Sequence, residues 1–208
     1  AVINAASVFM EKAPRTVELD RSYSEQNLKY DIAQVRALRA FAYFYMVRIW
    51  GDVPLVTYSY DNGTFPSMPR TDAQTVLSYA KAELLTAIED LPYQYGTQTN
   101  LYYGSYGAQW QGKLFNKLSA YSVLAHICAW QGNYAEAETY SAFIIDHASE
   151  INAKYTSIAD LTSETGLFYS NASVKGSRIL GFNFAHNDNE ATQSGHLEQL
   201  TLAYPLVQ

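Results

Sequence analysis

Cysteine is nearly missing: Cys128 stands alone among 208 residues, which removes any intramolecular disulfide framework. Charge is also scarce, at 16% of residues against about 25% in an average soluble domain. Its balance is acidic, 14 Lys plus Arg against 20 Asp plus Glu for a net −6. The few basic residues are scattered, so the electrostatic footprint that nucleic acid demands is absent. No long hydrophobic run occurs either. The most apolar stretch, Ala37 to Trp50, carries Arg39 and Arg48, whereas a spanning helix needs about 20 residues with few charges. The opening AVINAASVFM has no basic n-region and no initiator Met, so no signal peptide is read. With the last residues running to Gln208 without a stop signal, the expectation is a cytosolic protein or a processed or internal piece of a longer one.

Signals for catalysis are equally thin. Tyr103-Gly-Ser-Tyr-Gly107 has the wrong spacing for a nucleophile elbow. His126, His147, His186 and His196 form no metal-ligand spacing, and Cys128, between Ile127 and Ala129, reads as a small core residue. His186-Asn-Asp-Asn-Glu190 lacks the glycine turn and third acid of a calcium loop. Asp52 and Asp61 are carboxylates of the kind a glycosidase needs in pairs, but no spacing along the chain brings them together. The expectation is therefore no catalytic residues, no metal and no cofactor.

What the chain does have is aromatic surface: 14% of residues, led by 18 Tyr against 9 Phe and 3 Trp, within a 48% hydrophobic total. Such a composition buries enough area to offset the ordering entropy of a globular chain. Four helices are predicted. The first covers Asn27 to Trp50, with Leu28, Ile32, Val35, Leu38, Ala42, Tyr45 and Ile49 on one face of a 3.6-residue period. Phe41, Phe44 and Val47 on its other faces predict burial nearly all round, and Gly51 and Pro54 stop it. A second starts at Thr71 or Asp72, either able to cap it, and runs to Leu91, with Val76, Leu77, Ala80, Leu84, Ala87, Ile88 and Leu91 as its apolar stripe. A third spans Lys113 to Gln131 and a fourth Tyr134 to about Ser149, with only Gly132-Asn133 between them. So short a joint dictates an antiparallel hairpin.

That hairpin resembles one tetratricopeptide unit through Leu124, Ala125, Gly132-Asn-Tyr134 and Ala137, with Tyr134 expected to pack across the turn. One such unit leaves an open face and needs partners from elsewhere in the fold. After Ile151, Ser, Thr, Asn and Gly increase, and Arg178 to Phe184 alternates like a short strand. The fold class expected is mostly α: tetratricopeptide-like hairpins with long aromatic-rich loops and a short strand-bearing tail. A helical domain is assigned to residues 1–150, and 151–208 to an irregular, incomplete part of the same fold.

The run Arg36-Ala-Leu-Arg-Ala-Phe-Ala-Tyr-Phe-Tyr-Met-Val-Arg-Ile-Trp-Gly-Asp-Val-Pro-Leu55 resembles the core segment of SusD/RagB-like proteins, an aromatic helix ending in a Gly-Asp-Val-Pro turn. Pro69-Arg-Thr71, Leu91-Pro92, the Lys113–Ala129 helix and Gly132-Asn-Tyr-Ala-Glu-Ala137 follow in the family's order, with His126 where Arg is usual. The resemblance implies a surface-exposed outer-membrane lipoprotein that captures glycans, or in some members peptides, and hands them to a SusC-like TonB-dependent transporter. Family members are much longer and carry a lipidated N-terminal Cys. The resemblance therefore also implies that this is an internal fragment, whose only membrane attachment is a lipid anchor absent from this chain.

Two loops stand out as sites. Leu91 to Gly112 holds no charged residue but five tyrosines and Trp110, broken by Gly96, Gly104, Gly107 and Gly112. Ring faces suit the C–H surface of a sugar, and Tyr hydroxyls, Asn100 and Gln109 suit its hydroxyls. The same rings equally serve packing on the helices below or contact with a protein partner. The second loop, Thr57 to Met68, offers Tyr58, Tyr60, Asp61, Asn62 and Phe65. The candidate ligand-binding residues are Tyr58, Tyr60, Phe65, Tyr102, Tyr103, Tyr106 and Trp110. Arg36, Arg39 and Arg48 read as structural tethers, with Asp52 the local partner for Arg48. The expected function is non-catalytic capture of an oligosaccharide. The alternatives are a peptide-binding relative, a protein-interaction module and, behind these, a hydrolase.

Overall fold

A computed structural model describes residues 2–60, 65–104, 110, 112–153, 158 and 179–181. Within them lie five α-helices: α1 (Val2–Leu19), α2 (Glu25–Trp50), α3 (Ala73–Asp90), α4 (Lys117–Trp130) and α5 (Tyr134–Asp146), then a 3₁₀ turn at Ala148–Ile151. The mostly helical class stands. α1 was not foreseen. Pro14 interrupts its pattern, and its first turn carries no acidic residue, so the usual start signal is missing.

The core forms where α2, α3 and α4 meet, through Ala37, Ala40 and Phe44, Leu77, Ala80 and Leu84, and Val123, Leu124 and Ile127. The α3 stripe read from the sequence is this buried face, Val76 to Leu91. The α2 stripe is a correction. Its buried face carries Ala33, Ala37, Ala40, Tyr43, Phe44 and Val47; at 100° per residue the Leu28–Ile49 stripe points the opposite way. There Tyr45 and Ile49 are exposed and Leu38 is half-buried, so the second half of α2 is not buried all round. Small alanines at the seam allow close helix approach, and close approach rather than side-chain bulk chose the core face.

The Gly51-Asp-Val-Pro54 block has a precise job. Gly51 takes φ 69° and returns its N–H to Val47, ending α2. Val53 and Thr71 then exchange backbone bonds of 3.2 and 2.9 Å. Asp52 accepts from the amide of Ala73 at 2.9 Å, and Asp72, not Thr71, caps α3 through Thr75. Asp52 is thus committed to the start of α3. Arg48 lies instead over the rings of Phe44, Tyr45 and Trp130, 5.4–5.6 Å from their centroids. Tyr43, fully buried, donates to the carbonyl of Val56 at 2.8 Å and accepts its amide at 2.7 Å.

Arg36 and Arg39 are tethers, as expected, and share the Glu83 carboxylate of α3. Arg36 reaches Oε1 at 2.9 Å, while Arg39 bonds Oε2 and also donates to Ser7 of α1 at 2.9 Å. Arg39 and Glu83 are 5% and 8% exposed.

α4 begins at Lys117 rather than Lys113, because Asn116 and Ser119 form a reciprocal capping box with both bonds at 2.8 Å. Gly132, at φ 79°, makes the tight joint to α5, and the two helices pack as a hairpin. Tyr134 does not pack across that turn; it is 72% exposed, since Asn133 caps α5 through Glu136 and sends the first α5 side chain outward. Of the expected strand, residues 179–181 are described. There Leu180 bridges Gly112, with Gly181 N–H donating to Gly112 at 2.8 Å. Residues 154–157, 159–178 and 182–208 of the assigned tail, with His186, His196 and the acidic loop at 186–190, lie outside the described residues, as do Asp61, Asn62, Gln109 and Tyr106.

Candidate functional site

α2 grips the Tyr-rich loop with four polar side chains at i, i+3, i+4 and i+7: Asn27, Tyr30, Asp31 and Gln34. Asn27 accepts the amide of Tyr103 at 3.1 Å, and Tyr30 donates to Asn100 at 2.9 Å. Gln34 accepts the Phe115 amide at 2.8 Å and donates to Tyr95 and to the Phe115 carbonyl. Asp31 receives three phenols: Tyr23 at 2.8 Å, Tyr103 at 2.5 Å, and Tyr102 on its other oxygen. Sequence reasoning passed over this quartet. Its signal was four polar residues at helical spacing in a helix otherwise rich in apolar side chains.

This grip divides the candidate rings. Tyr102, 6% exposed, packs with Tyr30, Tyr95 and Trp110, with centroids 6.1, 5.1 and 5.3 Å away. Its faces are occupied, so it supports the site instead of presenting a surface. Trp110 is half-buried against the same cluster, and its indole N–H has no partner among the described residues. Tyr103 is different. It is 51% exposed and sits at φ 48°, followed by Gly104 at φ 64°. A left-handed aromatic residue is strained by about 1–2 kcal/mol and persists where its surroundings over-determine it; here Asn27 holds its amide and Asp31 its hydroxyl.

Tyr103 is the wall between two clefts. On one side, Val8, Phe9 and Ala13 of α1 with Tyr23 and Asp31 line an apolar cleft of about 600 Å³ that also holds Lys12 and Thr16. On the other, Ser24, Gln26, Asn27, Gln98 and Thr99 line a cleft of about 630 Å³ without a charged side chain. Both volumes fall within the range of small-ligand sites. Burial first, then the hydrogen bond to Asp31, pushes the Tyr103 phenol up to about 12. Tyr23 and Tyr102 are raised by the same two causes, so all three phenols remain donors at neutral pH.

The second loop forms its own patch. Tyr60 lies between Tyr58 and Phe65, with centroids 5.0 Å from each, and donates to the Tyr58 hydroxyl at 2.6 Å, a bond that holds the Tyr60 phenol up near 12. Tyr58 and Phe65 are exposed. α1 positions this loop: Asn4 pairs with the backbone of Tyr60 through bonds of 2.8 and 2.7 Å, and Glu11 accepts from Ser59. Among the described residues no group of three or more His, Cys, Asp or Glu is arranged to hold a metal ion, and no helix is long and apolar enough to cross a membrane.

No family model matches the chain. Among curated proteins, the SusD-like protein P38 of Formosa agariphila is 29% identical over 142 residues, 67% of this chain and 23% of that protein. A solved structure of a SusD superfamily protein from Bacteroides thetaiotaomicron is 96% identical over 99% of this chain, with a TM-score of 0.84; the match covers 43% of that protein. A laminarin binding SusD-like protein shares the fold at 24% identity and a TM-score of 0.55, over 75% of this chain and 29% of its own. The chain thus spans less than half the length of each of these relatives. With near-identity to one of them along almost every residue, and the helical architecture held in common, the chain belongs to the SusD superfamily.

Proposed function

We propose that this chain is part of a cell-surface protein that binds an oligosaccharide without cleaving it and passes it to a SusC-like TonB-dependent transporter of the outer membrane. Attachment would be through a lipid anchor outside this chain, and residues 151–208 would belong to the same fold as the helices. The observation that carries the reading is Tyr103: an exposed ring, strained and held from both ends, standing between an apolar cleft and an uncharged polar one. A sugar offers an apolar C–H face and a rim of hydroxyls, and these two surfaces meet at that residue. The family resemblance and a laminarin-binding neighbour of the same fold support carbohydrate as the ligand class.

The test is calorimetry and affinity electrophoresis of the full chain against a panel of soluble polysaccharides and peptides, with the ligand recovered afterwards for mass analysis. Retardation by a glycan that comes back intact supports capture, and Tyr103→Ala should weaken it roughly tenfold. Binding of peptides alone would replace the glycan reading with a peptide one, and shortened glycan products would replace it with hydrolysis.

A further inference from the structure

Resting on that reading, we infer that the cargo is a glycan carrying an aryl ester: the sugar lies on the polar side of Tyr103, and the ester's ring fills the apolar cleft beside α1. Tyr103 divides two clefts of unlike chemistry. The one lined by Ser24, Gln26, Asn27, Gln98 and Thr99 offers hydroxyls and amides, the groups that pair with sugar hydroxyls. The other is walled by one face of α1, where Ala5, Val8, Phe9 and Ala13 recur at helical spacing, and by Tyr23 and Tyr103. Its polar groups are turned on one another. Tyr23 and Tyr103 spend their protons on one oxygen of Asp31, at 2.8 and 2.5 Å, and Tyr102 donates to the other. A sugar seated there would bury hydroxyls against carbon, and a polar group buried without a partner is costly. Carbon surface suits this cleft. Because Tyr103 lines both clefts, one ligand with a short internal link can fill the two.

Size, ring content and charge select an aryl group. The apolar cleft measures about 600 Å³, and a small acetyl group would leave most of it open. Phe9 is an exposed ring on α1, and Tyr23 and Tyr103 stand 6.3 Å apart with their planes at 32°, a spacing that aromatic rings adopt with one another. A further flat ring extends that cluster. Lys12 shares the cleft, and a cation is drawn to the face of a ring but not to an alkyl chain. An ester also keeps the ring uncharged. A free aryl acid would bring a second carboxylate to the cleft of Asp31, in a chain whose net charge is already −6.

The experiment is calorimetric titration of the full chain with xylo-, gluco- and arabino-oligosaccharides, each bare or carrying one feruloyl, acetyl or octanoyl ester, with methyl ferulate alongside. Burying a ring is worth about tenfold or more in affinity. The feruloyl ester of a backbone should therefore bind at least tenfold more tightly than its bare, acetylated or octanoylated form. Methyl ferulate, which lacks the sugar, should bind at least tenfold more weakly than the feruloylated oligosaccharide. Phe9→Ala should cut the feruloyl preference to threefold or less. Ala5→Leu, which narrows the cleft from an exposed position, should do the same while leaving the bare oligosaccharide within twofold; circular dichroism and melting temperature check that both variants fold. A bare backbone or an octanoyl ester that matches the feruloyl ester, or a preference unmoved by both variants, overturns the aryl site while leaving glycan capture standing. Methyl ferulate as tight as the conjugate overturns the two-part ligand. If no oligosaccharide, bare or esterified, and no panel polysaccharide binds, the glycan reading falls and this inference with it.

Discussion

Replacing Glu83 by Gln tests the hub of the fold. The side chain keeps its shape and can still accept hydrogen bonds, but Arg39, 5% exposed, loses its counter-charge and keeps as undisturbed partners the Ser7 hydroxyl at 2.9 Å and the Tyr79 ring, 5.7 Å from its guanidinium carbon. Removing one member of a buried pair typically costs about 3–5 kcal/mol, because the other charge is left uncompensated. Arg36 adds little, since its side chain is 29% exposed and water can replace the carboxylate. A loss of about 3 kcal/mol is a large share of the 5–15 kcal/mol that holds a typical domain. With a urea m-value of about 1–3 kcal/mol/M, the unfolding midpoint should drop by about 1–3 M. Equilibrium unfolding followed by tryptophan fluorescence and far-ultraviolet circular dichroism reads this directly. Arg36→Met should cost less than about 1 kcal/mol. The double variant Arg39→Met/Glu83→Met should recover most of the loss, because apolar side chains of similar volume need no desolvation. A Glu83→Gln midpoint no lower than that of Arg36→Met would refute the reasoning, since it would mean that Arg39 finds its solvation elsewhere.

Three further outcomes are expected. Asn116→Ala removes the α4 cap and half of its capping box, and should cost about 1 kcal/mol, or about 2–4 °C in melting temperature by calorimetry. The ion pair with Lys81, first among its causes, holds the Glu136 carboxyl below its ordinary 4.5. A depressed folded value contributes stability above the unfolded value that disappears as pH falls through the folded one. Lys81→Met should therefore be less stable than the parent at pH 6, with the gap closing below pH 4.5 in urea titrations; a gap that persists in acid would contradict the assignment. Tyr103, raised to about 12, has the opposite sign. Its contribution is complete below the unfolded value near 10 and is lost as pH rises through about 12, so any stability gap between parent and Tyr103→Phe should shrink across that window.

Legibility in the sequence followed physical type. The α3 face was readable because Val76, Leu77, Leu84 and Ile88 are bulky and every one is buried. The α2 face was misread because half of its core side, Ala33, Ala37 and Ala40, is alanine, which registers as a weaker signal than the Leu and Ile opposite. The Gly51-Asp-Val-Pro54 turn was visible as a stop, but its bond to Ala73 crosses 21 residues and has no local trace. For the site, the loop aromatics were visible as a group, whereas neighbours such as Tyr102 and Tyr103 could not be told apart. Tyr103 takes a positive φ while Asn27, 76 residues earlier, holds its amide; Asp31 accepts both phenols, so the hydroxyl bond alone does not separate them. The Asn27 tie has no local trace in the loop sequence.

The bond pair between Tyr43 and Val56 bears on how the chain tolerates change. A phenol on a helix does for Val56 what an adjacent strand does in a sheet, engaging its amide and its carbonyl together. The link takes nothing from the valine side chain, so at position 56 this tie alone would admit any residue that still has an amide hydrogen and would exclude proline. Position 43 has no such latitude: phenylalanine fills the space without the hydroxyl, and serine or threonine carries the hydroxyl without the reach. Drift in sequence should accordingly be free where the bond arrives and frozen where it begins.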